Sequence, residues 1–183
     1  MNARCHQIAG VVSGAFLALS LPDQTLNNLL LIAVGAGIGS MIPDIDEPNS
    51  VLGRKVKILS TTIKTVFGHR GFFHTPLFIL LLYWLLNGVL GEFSAAYKSS
   101  VEMFIKGILS GMISHLILDM LTPAGIMLFF PLSTHRVRIL KMKSKNRDTV
   151  VSILLIVCLL FAIAVRLNVI SINIPTLNII QGG

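Results

Sequence analysis

Four places in the chain put metal-binding side chains at the end of an apolar run. They are His6, the pair Asp44 and Asp46, the pair His69 and His74 around Arg70, and the pair His115 and Asp119. Together they hold four of the five histidines and three of the five aspartates, which concentrates the ligand-type residues beyond what scattered structural polar groups would do. A mixture of imidazole and carboxylate suits Zn, Mn or Fe, whereas Ca and Mg sites are dominated by oxygen. Seven candidates (His6, Asp44, Asp46, His69, His74, His115, Asp119) exceed the three protein ligands typical of one catalytic zinc. Two divalent ions about 3.5–4 Å apart are therefore expected. Such a pair lowers the pKa of a bridging water toward about 7 and supplies hydroxide for hydrolysis.

Spacing sets how each pair must be held. His115 and Asp119 are four residues apart, so on a helix they share a face with about 5–6 Å between them. Asp44 and Asp46 follow Pro43, and in an extended chain residues two apart point the same way. His69 and His74 would splay apart on a straight helix, but Gly68 and Gly71 give a loop able to turn both inward. Arg70 offers a two-pronged clamp for a phosphate or carboxylate; the plainer reading makes it a basic anchor of a cytoplasmic loop. Arg70 and Asp46 are the expected catalytic residues. For a single intramembrane histidine, hydrogen-bonded structure is the blander reading. Ionised aspartate in a membrane helix, however, costs about 2.5–3.5 kcal/mol and usually marks function.

The elements that carry these residues are membrane helices. The 183 residues are 54% hydrophobic and 13% charged, with mean hydropathy +0.80, far from the roughly one-quarter charged composition of soluble domains. The net charge of +7 lies in loops between apolar runs, where it sets orientation and meets anionic lipid headgroups, so no nucleic acid partner is expected. Cys5 and Cys158 are placed neither to pair nor to build a thiolate site. The chain reads as one integral-membrane domain over 1–183, all-α, a polytopic bundle of about five transmembrane helices. Its metal-site core covers about 1–136, a basic loop 133–148, the last helix 150–166 and an uncharged tail 167–183.

In order, Ile8 to Leu21 is a first helix rather than a cleaved signal, short for a crossing unless it starts earlier. Leu26 to Ile42 is a second, rich in small residues, with the close-packing spacing Gly35 to Gly39; Pro43 ends it. Between Glu47 and Gly68, Leu52, Val56, Leu59, Ile63 and Val66 recur at helical spacing with basic residues between them. That pattern fits an interfacial helix on the cytoplasmic side or an amphipathic helix packed on the protein. Thr75-Pro76 starts a third membrane helix running to about Gly91. A fourth covers Val101 to Leu121, and Ile126 to Leu132 is too short to span and reads as re-entrant or interfacial. Val150 to Val165 is the fifth, and Ile170 to Ile174 alternates as a short strand would.

Five basic residues lie between helices two and three and six between helices four and five, so both loops and Arg4 fall on one side. Short basic loops stay inside, which puts the amino terminus in the cytoplasm of a multi-pass protein in a bacterial or archaeal inner membrane. On that topology all candidate ligands meet at the cytoplasmic leaflet. A site there favours a membrane lipid or lipid-linked substrate. The rival class is a metal-ion transporter or sensor, which calls for a midplane site and repeated halves that the sequence lacks. A non-catalytic protein with a structural metal would close its site to water.

Three blocks carry a resemblance: Pro43-Asp44-Ile45-Asp46 with Ser50, His69-Arg70-Gly71-Phe72-Phe73-His74-Thr75, and Ser114-His115 through Asp119 to Thr122-Pro123-Ala124-Gly125 and Pro131. In order and spacing they resemble the family of inner-membrane metal-dependent hydrolases of the LexA-regulated type, and His6 before Gly10 is similar to that family's amino-terminal histidine. Thr75 stands where the family often has Ser. The resemblance implies a metal-dependent hydrolase with the seven ligands above, and Arg70 and Ser50 near them. Read with the residues, it leads to the expectation of a metal-activated water acting on a phosphoester of a lipid, in an oligomeric state the sequence leaves open.

Overall fold

The computed structural model describes residues 2–21, 25–139 and 146–167. These contain six α-helices: α1 (Ala3–Ser20), α2 (Leu26–Gly39), α3 (Lys57–Phe67), α4 (Pro76–Leu90), α5 (Ala95–Met120) and α6 (Arg147–Arg166). Short 3-10 turns cover Pro43–Asp46, Gly53–Val56 and Phe72–His74. Local chemistry explains where helices start. The Asn2 side chain accepts from the Cys5 amide at 2.8 Å and so begins α1 five residues before Ile8, placing His6 inside the helix. Thr75 accepts from the Phe78 amide at 3.1 Å with Pro76 in the first position, as the Thr-Pro pair predicts.

The fold is all-helical among the described residues, as expected. Among the described residues, three helical segments are long and apolar enough to cross a membrane: Leu26–Asp46, which joins α2 to the 3-10 turn after it, Tyr97–Met120 and Arg147–Arg166. With 15 residues, α4 is about 22 Å long, short of a hydrocarbon core of about 30 Å. Exposed apolar side chains fit a lipid solvent, among them Trp84 at 76% on α4 and Leu160 at 60% on α6.

The centre is the contact between α2 and α5, where two backbones touch. A Cβ on Gly35 or Gly39 would strike the carbonyls of Phe104 or Ile108, and one on Gly107 or Gly111 would strike those of Ile32 or Ala36. The sequence marks both halves with the same four-residue step, although only Gly35 to Gly39 stood out against its surroundings. On the other side α1 packs against both helices, and Cys5, Ala9 and Leu118 form a core closed by Leu121, Val151 and Leu155, which seats α6.

Some boundaries depart from expectation. Ser94 leads into α5, which therefore begins six residues before Val101 and carries its polar first turns as helix, with Lys106 and Glu102 paired at 2.8 Å. The segment Ile126 to Leu132, read as re-entrant or interfacial, is a loop. Ile126 and Val137 form an antiparallel bridge, and this loop folds back over the end of the bundle with Ile126 fully buried and Leu132 94% exposed. On α3, Ile63 is buried but Leu59 and Val66 are 52% and 66% exposed, so the chain itself leaves most of that apolar face uncovered. The free thiols are Cys5 and Cys158. Lys141, Lys143, Lys145 and the strand expected at Ile170 to Ile174 lie outside the described residues.

Candidate metal centre

Helix direction brings the chemistry to one end of the bundle. His6 lies near the start of α1, Asp44 in the 3-10 turn that follows α2, His74 just before α4, and His115 and Asp119 in the last two turns of α5. α6 begins at that end too, tied by the Asn2 amide donating to Asp148 at 2.7 Å.

His74 Nε2 and His115 Nε2 stand 3.2 Å apart. Asp119 Oδ2 flanks this edge at 3.5 Å from His74 and 3.7 Å from His115. Asp44 Oδ1 flanks it as well, at 3.9 Å from His74 and 3.7 Å from His115. For bonds of about 2.0–2.1 Å in tetrahedral geometry, donor atoms are about 3.3–3.4 Å apart. The spacings are those of atoms able to share one cation. His6 joins from above: its ring stacks on that of His115 at 3.8 Å and 17°, and its Nε2 is 3.4 Å from Asp119 Oδ1. Its Nδ1 is buried and has no hydrogen-bond partner among the described residues. Two overlapping groups close enough to hold a metal ion result among the described residues, Asp44 with His74 and His115, and His6 with His115 and Asp119.

The outer nitrogens fix which face of each ring turns inward. His74 Nδ1 lies 3.0 Å from Asp46 Oδ2, and His115 Nδ1 lies 2.6 Å from the Ser40 carbonyl. Both partners accept only, so each Nδ1 carries a proton, and in the neutral rings each Nε2 presents a lone pair to the other. Opposed lone pairs at 3.2 Å favour a cation between them, and the donor set of imidazole and carboxylate fits Zn, Mn or Fe.

Asp46 and His69 do not join either group. The expectation that Asp44 and Asp46 point the same way is corrected: Pro43–Asp46 is a 3-10 turn, with about three residues per turn, so side chains two apart diverge. Asp44 faces the paired histidines, whereas Asp46, fully buried, takes His69 Nδ1 on Oδ1 and both His74 Nδ1 and the Arg70 amide on Oδ2, each at 3.0 Å. The loop does turn both histidines inward, but His69 meets Asp46 and stays 36% exposed. Gly68 and Arg70 make this path possible with φ of 73° and 62°; the second is a conformation that costs a non-glycine residue of order 1–3 kcal/mol.

Arg70 is neither an exposed anchor nor a free clamp. Its guanidinium is buried and donates to Asp119 Oδ1 at 2.8 Å, Thr122 Oγ1 at 2.7 Å and the Gly125 carbonyl at 3.3 Å. Thr122 belongs to the Thr-Pro-Ala-Gly block, which could have flagged it. Ser40 acts through its backbone, for which no side-chain signal exists. Ser50 bonds the Asp44 carbonyl and the Gly53 amide, both at 2.8 Å, and so shapes the turn that presents Asp44.

A cleft of about 300 Å³ opens over this centre, lined by His6, Asp44, Glu47, Arg54, His69 and Arg70 among others. Within it Glu47 is held by Lys64 at 2.7 Å. Burial raises the Glu47 carboxyl, but the Lys64 ammonium outweighs it and holds the group below the ordinary carboxylate range.

The family described as YdjM inner membrane protein matches residues 1–176 of the chain. A Bacillus subtilis protein named as uncharacterised protein YvsG is 40% identical over 139 residues, covering 76% of this chain and 78% of the relative. The Escherichia coli inner membrane protein YdjM is 40% identical over 135 residues, covering 72% of this chain and 66% of the relative, and the Shigella flexneri protein of that name aligns equally. No solved structure matches the chain. The chain belongs to the YdjM inner membrane protein family.

Proposed function

We propose that this member of the YdjM inner membrane protein family is a membrane-embedded, metal-dependent hydrolase acting on a phosphoester of a lipid or lipid-linked substrate. The observation that carries the reading is the edge of His74 Nε2 and His115 Nε2 at 3.2 Å, flanked by Asp44 and Asp119. When bound there, a Zn, Mn or Fe ion lowers the pKa of a water toward about 7 and supplies hydroxide at neutral pH. The chain's own residues do the positioning. Asp46 and the Ser40 carbonyl fix the tautomers of His74 and His115, and such partners typically carry 10–100-fold in metal affinity. Arg70 holds Asp119 in place and balances its charge.

Access separates this from a structural metal. Asp44 keeps 24% of its side chain exposed toward a polar cleft, and catalytic centres keep an open position where structural ones are closed. Arg54, exposed in the lining of the cleft, gives positive charge for a phosphate.

The ring nitrogens favour one ion per chain over the two that the number of ligands suggests. His115 has only Nε2 left, because Nδ1 serves Ser40, so it can ligate one ion. A second ion is favoured by the unpartnered Nδ1 of His6, but it would share Asp119 with Arg70, whose guanidinium already occupies Oδ1. In the membrane, α1, α2, α4, α5 and α6 cross, the 15-residue α4 with local thinning of the bilayer, the site end faces the cytoplasm with the amino terminus, and α3 lies in the headgroup layer beside the cleft.

Metal content of detergent-purified protein, measured by mass spectrometry, tests the reading together with release of phosphate or headgroup from lipid phosphates. About one ion per chain, absent from Asp44→Ala and His115→Ala along with any hydrolysis, is expected. A folded wild type that stays empty after reconstitution with Zn, Mn and Fe would overturn it.

A further inference from the structure

We propose that the groove between α1 and α2 and the cleft over the metal centre form one site for an anionic phospholipid, with an acyl chain in the groove and the phosphate in the cleft. As the substrate site of the proposed hydrolase it rests on that reading, whereas binding of the lipid stands on the shape and charge of the two surfaces.

The groove has a volume of about 420 Å³ and is lined by Gln7, Val11, Val34, Gly37, Ile38 and Met41 together with Ala33. It lies along Leu26–Asp46, which is long and apolar enough to cross a membrane, and in a bilayer its open side would meet hydrocarbon. Val34 and Ile38 are 54% and 46% exposed along it. The end nearest the metal centre is formed by Gln7 and Met41, joined by a bond of 2.9 Å from Gln7 Nε2 to Met41 Sδ. Gln7 follows His6 in the chain and Met41 stands three residues before Asp44, and both His6 and Asp44 line the cleft. The apolar groove thus ends on residues one and three positions along the chain from residues that line the polar cleft.

Gly37 marks the groove as a space rather than a packing fault. Its neighbours Gly35 and Gly39 are needed because the backbone of α5 lies against them, but a Cβ on Gly37 would meet only Val11 Cγ2, at 3.5 Å. Helix packing does not call for glycine here, and a larger side chain would fill the channel.

Charge chooses the headgroup. Arg70 has its guanidinium engaged and Glu47 is matched by Lys64. Arg54 is exposed in the cleft and makes no ion pair among the described residues, so it is the cation available to a phosphate. A peptide in the groove would bury backbone donors that an almost wholly apolar lining cannot satisfy, which an acyl chain does not.

The test reconstitutes the full chain in phosphatidylcholine vesicles containing a phosphatidic acid with a diazirine in its acyl chain, and maps the photo-crosslinks. Labelling is expected to concentrate at Val11, Val34 and Ile38, and to fall several-fold in Gly37→Leu. Arg54→Glu should lower labelling by phosphatidic acid but not by the corresponding phosphatidylcholine. Gly37→Ala, the milder filling, should lie between wild type and Gly37→Leu, with metal content showing that both variants fold. Crosslinks spread evenly over the outer faces of α4 and α6, or unchanged in Gly37→Leu, would overturn the inference. Because labelling needs no turnover, expected crosslinks without lipid hydrolysis would leave this site standing and remove the hydrolase reading. Hydrolysis that is indifferent to both substitutions would do the reverse.

Discussion

His74 and His115 come from opposite ends of their helices, one just before α4 and one near the end of α5, yet their Nε2 atoms stand 3.2 Å apart. Each is turned toward the other by an acceptor behind it, the Asp46 carboxylate or the Ser40 carbonyl. Two neutral imidazoles with Nδ1 protonated have no proton to share between their Nε2 atoms and suit a cation instead.

That relationship makes the two histidines one unit. His74→Ala and His115→Ala should each abolish tight zinc binding, and the double variant should be no worse than either single one. Competition with a chromophoric chelator reads the affinities. Losses that simply add would separate the two residues.

Asp46→Asn tests the acceptor behind His74. The amide keeps the volume but lets His74 lose its fixed orientation, so zinc affinity should drop about 10–100-fold, while His69→Ala should change it less than His74→Ala does. Equal losses for His69 and His74 would instead make His69 a ligand.

Arg70 and Asp119 are both buried, with side chains 11% and 1% exposed. Removing the guanidinium leaves the carboxylate uncompensated, so in metal-free protein Arg70→Ala should cost about 3–5 kcal/mol of stability. Arg70→Lys should recover only part of it, because an ammonium cannot reach Asp119, Thr122 and Gly125 as a fork does. Thermal melting in detergent checks the order wild type, Lys, Ala.

Glycine should divide sharply by face on α2. Gly39→Ala drives a Cβ into the Ile108 carbonyl, a clash expected to cost about 1–3 kcal/mol, whereas Gly37→Ala meets only Val11 at an ordinary contact distance and should leave the melting temperature unchanged. The same melting measurement compares them.

Orientation is read by cysteine labelling in a Cys158→Ser background. Ser50→Cys, beside the cleft, should react with a membrane-impermeant maleimide only when the cytoplasmic face is open. Ser94→Cys, at the far end of the bundle before α5, should react from outside in intact cells. The opposite pattern would place the candidate metal centre on the outer face.

The sequence alone determined that the chain is a helical membrane protein and which residues gather at one end, because both follow from local rules. Runs of apolar residues must become helices where no water can satisfy the backbone, and alternating direction then sends His6, Asp44, His74, His115 and Asp119 to the same end. The caps at Thr75 and the four-residue step of glycines were legible for the same reason. What needed the tertiary structure was the division of labour within the cluster. Asp44 and Asp46 separated because Pro43–Asp46 closed into a 3-10 turn, which no alternation in the sequence announces. Arg70 turned inward because a positive φ and the buried carboxylate of Asp119, 49 residues away, make its hydrogen bonds available only inside. The Ser40 carbonyl became the partner of His115 because α2 and α5 touch through glycines on both sides. Spacing names the candidates; the roles depend on distances between segments that are remote in the chain, and only packing sets those.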